Sequence, residues 1–221
     1  MPTTVIIDYG SGNLRSVQKA LERAARESNT STEVLISSDP KQVADAARIV
    51  LPGVGAFGDC IGSLRGLDGI EDALNSAVRD RKVPFLGICV GMQLLADVGR
   101  EHGDHQGLGW ISGEVVPLAP ADPTLNIPHM GWNELVVSKP KHTFLNGIST
   151  GDHAYFAHSY QFKPAVPETV MAHVEFGGAA CAAIAKANIF GTQFHPEKSQ
   201  ATGLRLLSNF LTWKPKAENT P

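Results

Sequence analysis

The chain has 221 residues, 43% of them hydrophobic, with 19 Lys and Arg against 22 Asp and Glu and a net charge of −3. That length and apolar share provide for one sizeable α/β core, and the near-balanced charge leaves no basic footprint for nucleic acid. No apolar run is long enough to cross a membrane, and three widely spaced cysteines (Cys60, Cys89, Cys181) suggest neither a disulfide framework nor a metal site, so a reducing, cytoplasmic setting is expected.

Thr4-Val5-Ile6-Ile7 is a short continuous apolar run, suited to a strand buried on both faces, with no signal peptide before it. Asp8-Tyr9-Gly10-Ser11-Gly12-Asn13 reads as a tight turn, because the third glycine of a dinucleotide loop and the Gly-Lys-Ser/Thr of a phosphate loop are both missing. Leu14, Val17, Leu21 and Ala24 then mark one apolar helical face. Glu33 to Ile36 and Arg48 to Leu51 read as further strands, the second ending in the glycine-rich loop Pro52-Gly53-Val54-Gly55. Val83-Pro84-Phe85-Leu86 is again strand-like, and Met92 to Ala96 has helical character. His102 and His105 lack the carboxylate or cysteine companions a metal would need and read as a polar loop.

Strands alternating with helices predict an α/β fold, an open, mostly parallel twisted sheet with helices on both faces. Such a sheet binds its ligand at the carboxyl ends of the strands. From Glu114 to Ile189 short strands and turns predominate, predicting an antiparallel extension of the same domain. Ala201 to Trp213 is a closing helix, so residues 1–213 are expected to form a single domain and 214–221 a polar tail.

Gly87-Ile88-Cys89-Val90-Gly91 sets a cysteine between two glycines where a strand turns into a helix. That is the layout of a nucleophile elbow with cysteine in place of serine. The helix beginning at Val90 would aim free N–H groups at the sulfur and favour negative charge there. A thiol also needs a base beside it to react at neutral pH. Phe194-His195-Pro196-Glu197 offers one: His195 and Glu197 are two apart, and an extended stretch puts both side chains on one side. Glu197 could then hold one imidazole nitrogen while the other faces Cys89.

Gly-Ile-Cys-Val-Gly-Met-Gln-Leu-Leu and Gln-Phe-His-Pro-Glu resemble the signatures of the class I (triad) glutamine amidotransferases, and the resemblance runs from Asp8 to about Phe210. It implies a glutamine amidotransferase type 1 domain with Cys89 as nucleophile, His195 as general base and acid, and Glu197 as its orienter. It implies hydrolysis of glutamine through a γ-glutamyl thioester, with no cofactor and no metal. It places the oxyanion strand at Gly53, Val54 and Gly55, with the Val90 amide as the second donor. Glutamine contacts carry over onto Gln93, Glu101 and the backbone around His158, Ser159 and Tyr160. Glycine on both sides of Val54 also predicts a peptide between Gly53 and Val54 that can turn over.

The chain carries glutaminase signatures and no recognisable acceptor-binding domain, so it is expected to work with a synthase. Asp8 to Leu14, Pro128-His129-Met130-Gly131-Trp132-Asn133 and Tyr155 to Tyr160 look like the glutaminase branch that serves imidazole glycerol phosphate synthases. The partner so implied is a (β/α)₈ cyclase subunit receiving ammonia, with His129, Met130 and Trp132 suited to the interface. A glutaminase subunit of another synthase, or a freestanding cysteine hydrolase, stays open as an alternative.

Overall fold

The first strand, β1 (Thr3–Ile7), has four consecutive buried residues, the mark of a strand covered on both faces. It lies between β2 (Glu33–Ser37) and β3 (Arg48–Gly53), parallel to both. β3 pairs in parallel with β4 (Phe85–Cys89), and β4 with β13 (Ile189–Thr192). Every residue of β4 and β13 is buried, which fits their central place. The computed structural model describes residues 1–215, and positions 216–221 of the expected tail lie outside the described residues.

Helix α1 (Leu14–Glu27) buries the predicted stripe of Val17, Leu21 and Ala24, and packs against α6 (Gln200–Thr212). A second group is made by α2 (Pro40–Asp45), α3 (Phe57–Arg65) and α4 (Ile70–Leu74). Asp39 opens α2 by accepting the Lys41 N–H at 2.9 Å, with Pro40 preset for the first turn. Arg48 holds the far end of α6, donating to the carbonyls of Phe210 and Trp213. Under these helices, Phe144 stacks on Phe190 with ring centres 3.6 Å apart.

Beyond β13 the main sheet turns antiparallel, through β12 (Ala179–Lys186), β11 (Val170–Glu175), β8 (His129–Val137) and β9 (His153–His158). The expected extension is therefore present, but part of the same region forms something else. β10 (Tyr160–Pro164) and β7 (Gly113–Pro117) pair in a second, four-stranded sheet with the two-residue strands β5 (Val98–Gly99) and β6 (His105–Gln106). The chain changes sheets at Ser159, which alone separates β9 from β10. The Ser159 carbonyl accepts the Leu118 N–H at 2.8 Å, tying the switch to the end of β7.

Candidate active site

Three carboxyl-terminal strand ends converge here. Gly53 closes β3 opposite Cys89 at the end of β4, and β13 leads through Gln193 and Phe194 to His195. Cys89 has φ 54° and ψ −113°, a conformation that a side-chain-bearing residue adopts only when its surroundings impose it. Gly91 shows what imposes it. A Cβ there would lie 1.8 Å from the Leu51 carbonyl oxygen, so only glycine lets the elbow sit this close to β3.

The helix after the nucleophile is shorter than expected. α5 spans Val90–Gln93, a single turn, in place of a helix reaching Ala96. The carbonyls of Leu94, Leu95 and Ala96 instead accept N–H groups from Leu108, Gly109, Trp110 and Ile111. Tertiary pairing with that segment outweighs local helical preference. Val90, at the first helical position, keeps an N–H that no preceding turn can use.

His195 Nδ1 lies 2.8 Å from Glu197 Oε1, with both side chains almost wholly buried. The second Glu197 oxygen is buried without a hydrogen-bond partner among the described residues, leaving the imidazole as the partner of the carboxylate. Cys89 lines the same cavity as this ring and lies near enough to act on its charge. Burial pulls the imidazole pKa down, but the neighbouring Cys89 sulfur and the Glu197 carboxylate lift it to about 10. Backbone contacts fix the ring's position: His195 N–H donates to the Tyr155 carbonyl, and Ser199 Oγ bridges the His195 carbonyl and the Tyr155 N–H.

A cavity of about 320 Å³ opens over the sulfur. Cys89, His195, Gln93, Glu101, Val54 and Tyr160 all line it, so these six of the residues singled out from the sequence meet in one place. Glu101 does more than line the cavity, because one carboxylate oxygen accepts the Phe57 N–H at the start of α3 at 2.7 Å. Gln93 donates from Nε2 to the Tyr160 carbonyl at 3.1 Å and to Gln193 Oε1 at 3.0 Å. Val54 N–H is bonded to Ser11 Oγ at 3.0 Å, so this donor of the expected oxyanion hole is engaged elsewhere. Among the described residues, no group of three or more His, Cys, Asp or Glu stands where it could hold a metal ion.

Three residues here carried no role in the sequence reading. Gln193, fully buried, sets its Nε2 3.7 Å from the Cys89 sulfur. Ser11 Oγ and Cys60 Sγ both donate to the Val54 carbonyl, at 2.7 and 3.3 Å. Met130, which lines the cavity, is 66% exposed, and Trp132, two residues further along β8, is 47% exposed. Trp132 packs edge-on to Tyr155, over which the Lys198 ammonium lies at 5.6 Å. His129 departs from the expectation that it faces a partner. It is 4% exposed and lies flat between Phe156 and Phe176. Strand alternation turns Met130 and Trp132 outward, and His129, one residue earlier, inward.

The family profile for class-I glutamine amidotransferases matches residues 5–213. The chain belongs to the class-I glutamine amidotransferases. Among relatives, the imidazole glycerol phosphate synthase subunit HisH of Rhodospirillum rubrum is 58% identical over 210 residues, covering 95% of this chain and 98% of that protein. HisH of Caulobacter vibrioides is 53% identical over 217 residues, covering 97% and 100%. A crystal structure of a glutamine amidotransferase, 20% identical, superposes with a TM-score of 0.69 over 94% of this chain and 96% of the other. At that identity the superposition speaks for the amidotransferase fold alone.

Proposed function

We infer that this amidotransferase is the glutaminase subunit of an imidazole glycerol phosphate synthase, working as one unit across residues 1–213. Its relatives at more than half identity over nearly full length support the assignment. The observation that carries the chemistry is the buried His195, bonded to Glu197 and sharing the cavity with the Cys89 sulfur.

Cys89 sulfur attacks the side-chain amide carbon of glutamine, and the carbonyl oxygen becomes an oxyanion. His195, held protonated beside the sulfur, gives its proton to the leaving nitrogen, and ammonia departs from a γ-glutamyl thioester. His195 then takes a proton from water, which attacks the thioester and releases glutamate and the thiol. Glu197 keeps the ring oriented and balances its charge throughout. Val90 N–H is one oxyanion donor, and the peptide between Gly53 and Val54 supplies the second once it lets go of Ser11. Glu101 offers a carboxylate for the substrate ammonium, and His158 to Tyr160 line the same cavity. Ammonia passes to a (β/α)₈ cyclase subunit seated on the exposed Met130 and Trp132, in the cytoplasm.

Glutamate release by the purified chain, alone and then with a cyclase subunit and its ribonucleotide substrate, tests this reading against a Cys89→Ala blank. Strong stimulation that vanishes in the variant is expected. Full activity without the cyclase would instead identify a freestanding hydrolase.

A further inference from the structure

An unbroken chain of hydrogen bonds runs from Asn133 in β8 to the nucleophile, and its direction can be worked out from its ends. The Tyr160 carbonyl can only accept, so His158 Nδ1, 2.8 Å away, carries a hydrogen. Burial pushes the His158 pKa down to about 4, so its other nitrogen, Nε2, is bare at neutral pH. His129 Nδ1 lies 3.0 Å from that bare nitrogen and must therefore donate to it. Burial lowers the His129 pKa as well, leaving Nε2 of that ring to accept from Asn133 Nδ2 at 3.2 Å. The Asn133 amide is itself fixed, since Nδ2 also donates to the Glu175 carbonyl while Oδ1 accepts the Glu134 N–H.

On the inner side the same logic continues. Gln93 Nε2 donates to the Tyr160 carbonyl and to Gln193 Oε1, which leaves the Gln193 amide nitrogen pointing at the Cys89 sulfur. Each member has one orientation that satisfies its neighbours, and reversing any of them would set two donors or two acceptors face to face.

We propose that His129 and His158 are positioning residues for glutamine hydrolysis, fixing the Tyr160 carbonyl and, through Gln93 and Gln193, the donor aimed at the Cys89 sulfur. The inference rests on the reading of Cys89 as the glutaminase nucleophile. Neither imidazole contacts the sulfur; both act through the amides between. A purely structural His129 would serve only as a flat ring between Phe156 and Phe176, a place that phenylalanine fills equally well.

Two measurements separate these roles. Nitrogen-15 shifts of the histidine-labelled full chain at neutral pH should report the uncharged Nδ1–H tautomer for both rings. In the assembled complex with the cyclase and its ribonucleotide substrate, His129→Phe should keep the aromatic stack yet lower kcat/KM for glutamine about tenfold, in kcat more than KM. His129→Asn, whose amide nitrogen stands where Nδ1 does, should recover most of that loss. An Nε2–H tautomer or a charged ring at either position, or wild-type kinetics in His129→Phe, would overturn the proposal. Should His129→Phe not fold, as circular dichroism would reveal, the tautomers decide alone. Failure of the underlying reading would show separately, as wild-type hydrolysis that survives Cys89→Ala.

Discussion

The Val54 amide donates to the Ser11 hydroxyl at 3.0 Å, while that hydroxyl donates back to the Val54 carbonyl at 2.7 Å. The turn after β1 thus grips the loop after β3 by both polar groups of one residue, and Cys60 adds a third contact at the same carbonyl. The Val54 amide, which we propose as an oxyanion donor, is thereby engaged away from Cys89.

Releasing this grip should raise idle turnover. Ser11→Ala removes one hydrogen bond to the amide, and unstimulated glutamine hydrolysis is expected to climb about fivefold, the equivalent of roughly 1 kcal/mol. Glutamate release without the cyclase measures it. A basal rate equal to wild type would show that Ser11 is not what restrains the peptide.

Two glycines should respond oppositely to the same methyl group. At Gly91 an added Cβ would meet the Leu51 carbonyl at 1.8 Å, and Gly91→Ala should cost about 1–3 kcal/mol or more as the elbow is forced off β3. At Gly62, within α3, nothing lies within 4 Å, and alanine should stabilise by about 0.5–1 kcal/mol. Urea unfolding of both variants tests the pair, and equal effects would contradict the packing described.

The triad should leave a signature in stability against pH. His195 titrates near 6.5 when unfolded and, despite burial, is lifted to about 10 when folded. A raised folded pKa stabilises fully below pH 6.5, and that contribution fades as pH climbs through 10. Glu197→Gln removes the carboxylate's share of it. Melting temperatures of wild type and variant should therefore differ most near pH 6 and converge above pH 10. A gap of constant size would mean that Glu197 does not hold the imidazole's charge.

Trp132 and Met130 should matter to assembly and not to idle chemistry. Trp132→Ala is expected to weaken binding of the cyclase at least tenfold, as removal of a large aromatic anchor commonly does. Unstimulated hydrolysis should be retained, because the side chain contacts neither Cys89 nor His195. Titration calorimetry with the cyclase and a parallel glutaminase assay would check both halves, and unchanged affinity would move the interface elsewhere.

The triad was legible in the sequence because each member sits in a short motif whose residue types and spacing carry their own chemistry. The parallel strands were legible for a similar reason: β1 and β4 are nearly continuous apolar runs. Gln193 and Ser11 were not, because their partners stand 104 and 43 positions away and no local pattern encodes such a contact. His129 was misplaced because strand alternation gives which residues share a face, not which face is buried. The second sheet was hidden for want of length, since β5 and β6 have two residues each.

Cys89 has a backbone that suits glycine, at φ 54°, and carries a side chain there all the same. A glycine at this position would relax about 1–3 kcal/mol of conformational strain. The fold would then be sturdier without its nucleophile than with it. Reactivity at this elbow is maintained against the grain of the chain's own stability, so a lineage freed from the need to hydrolyse glutamine would drift downhill simply by losing the thiol.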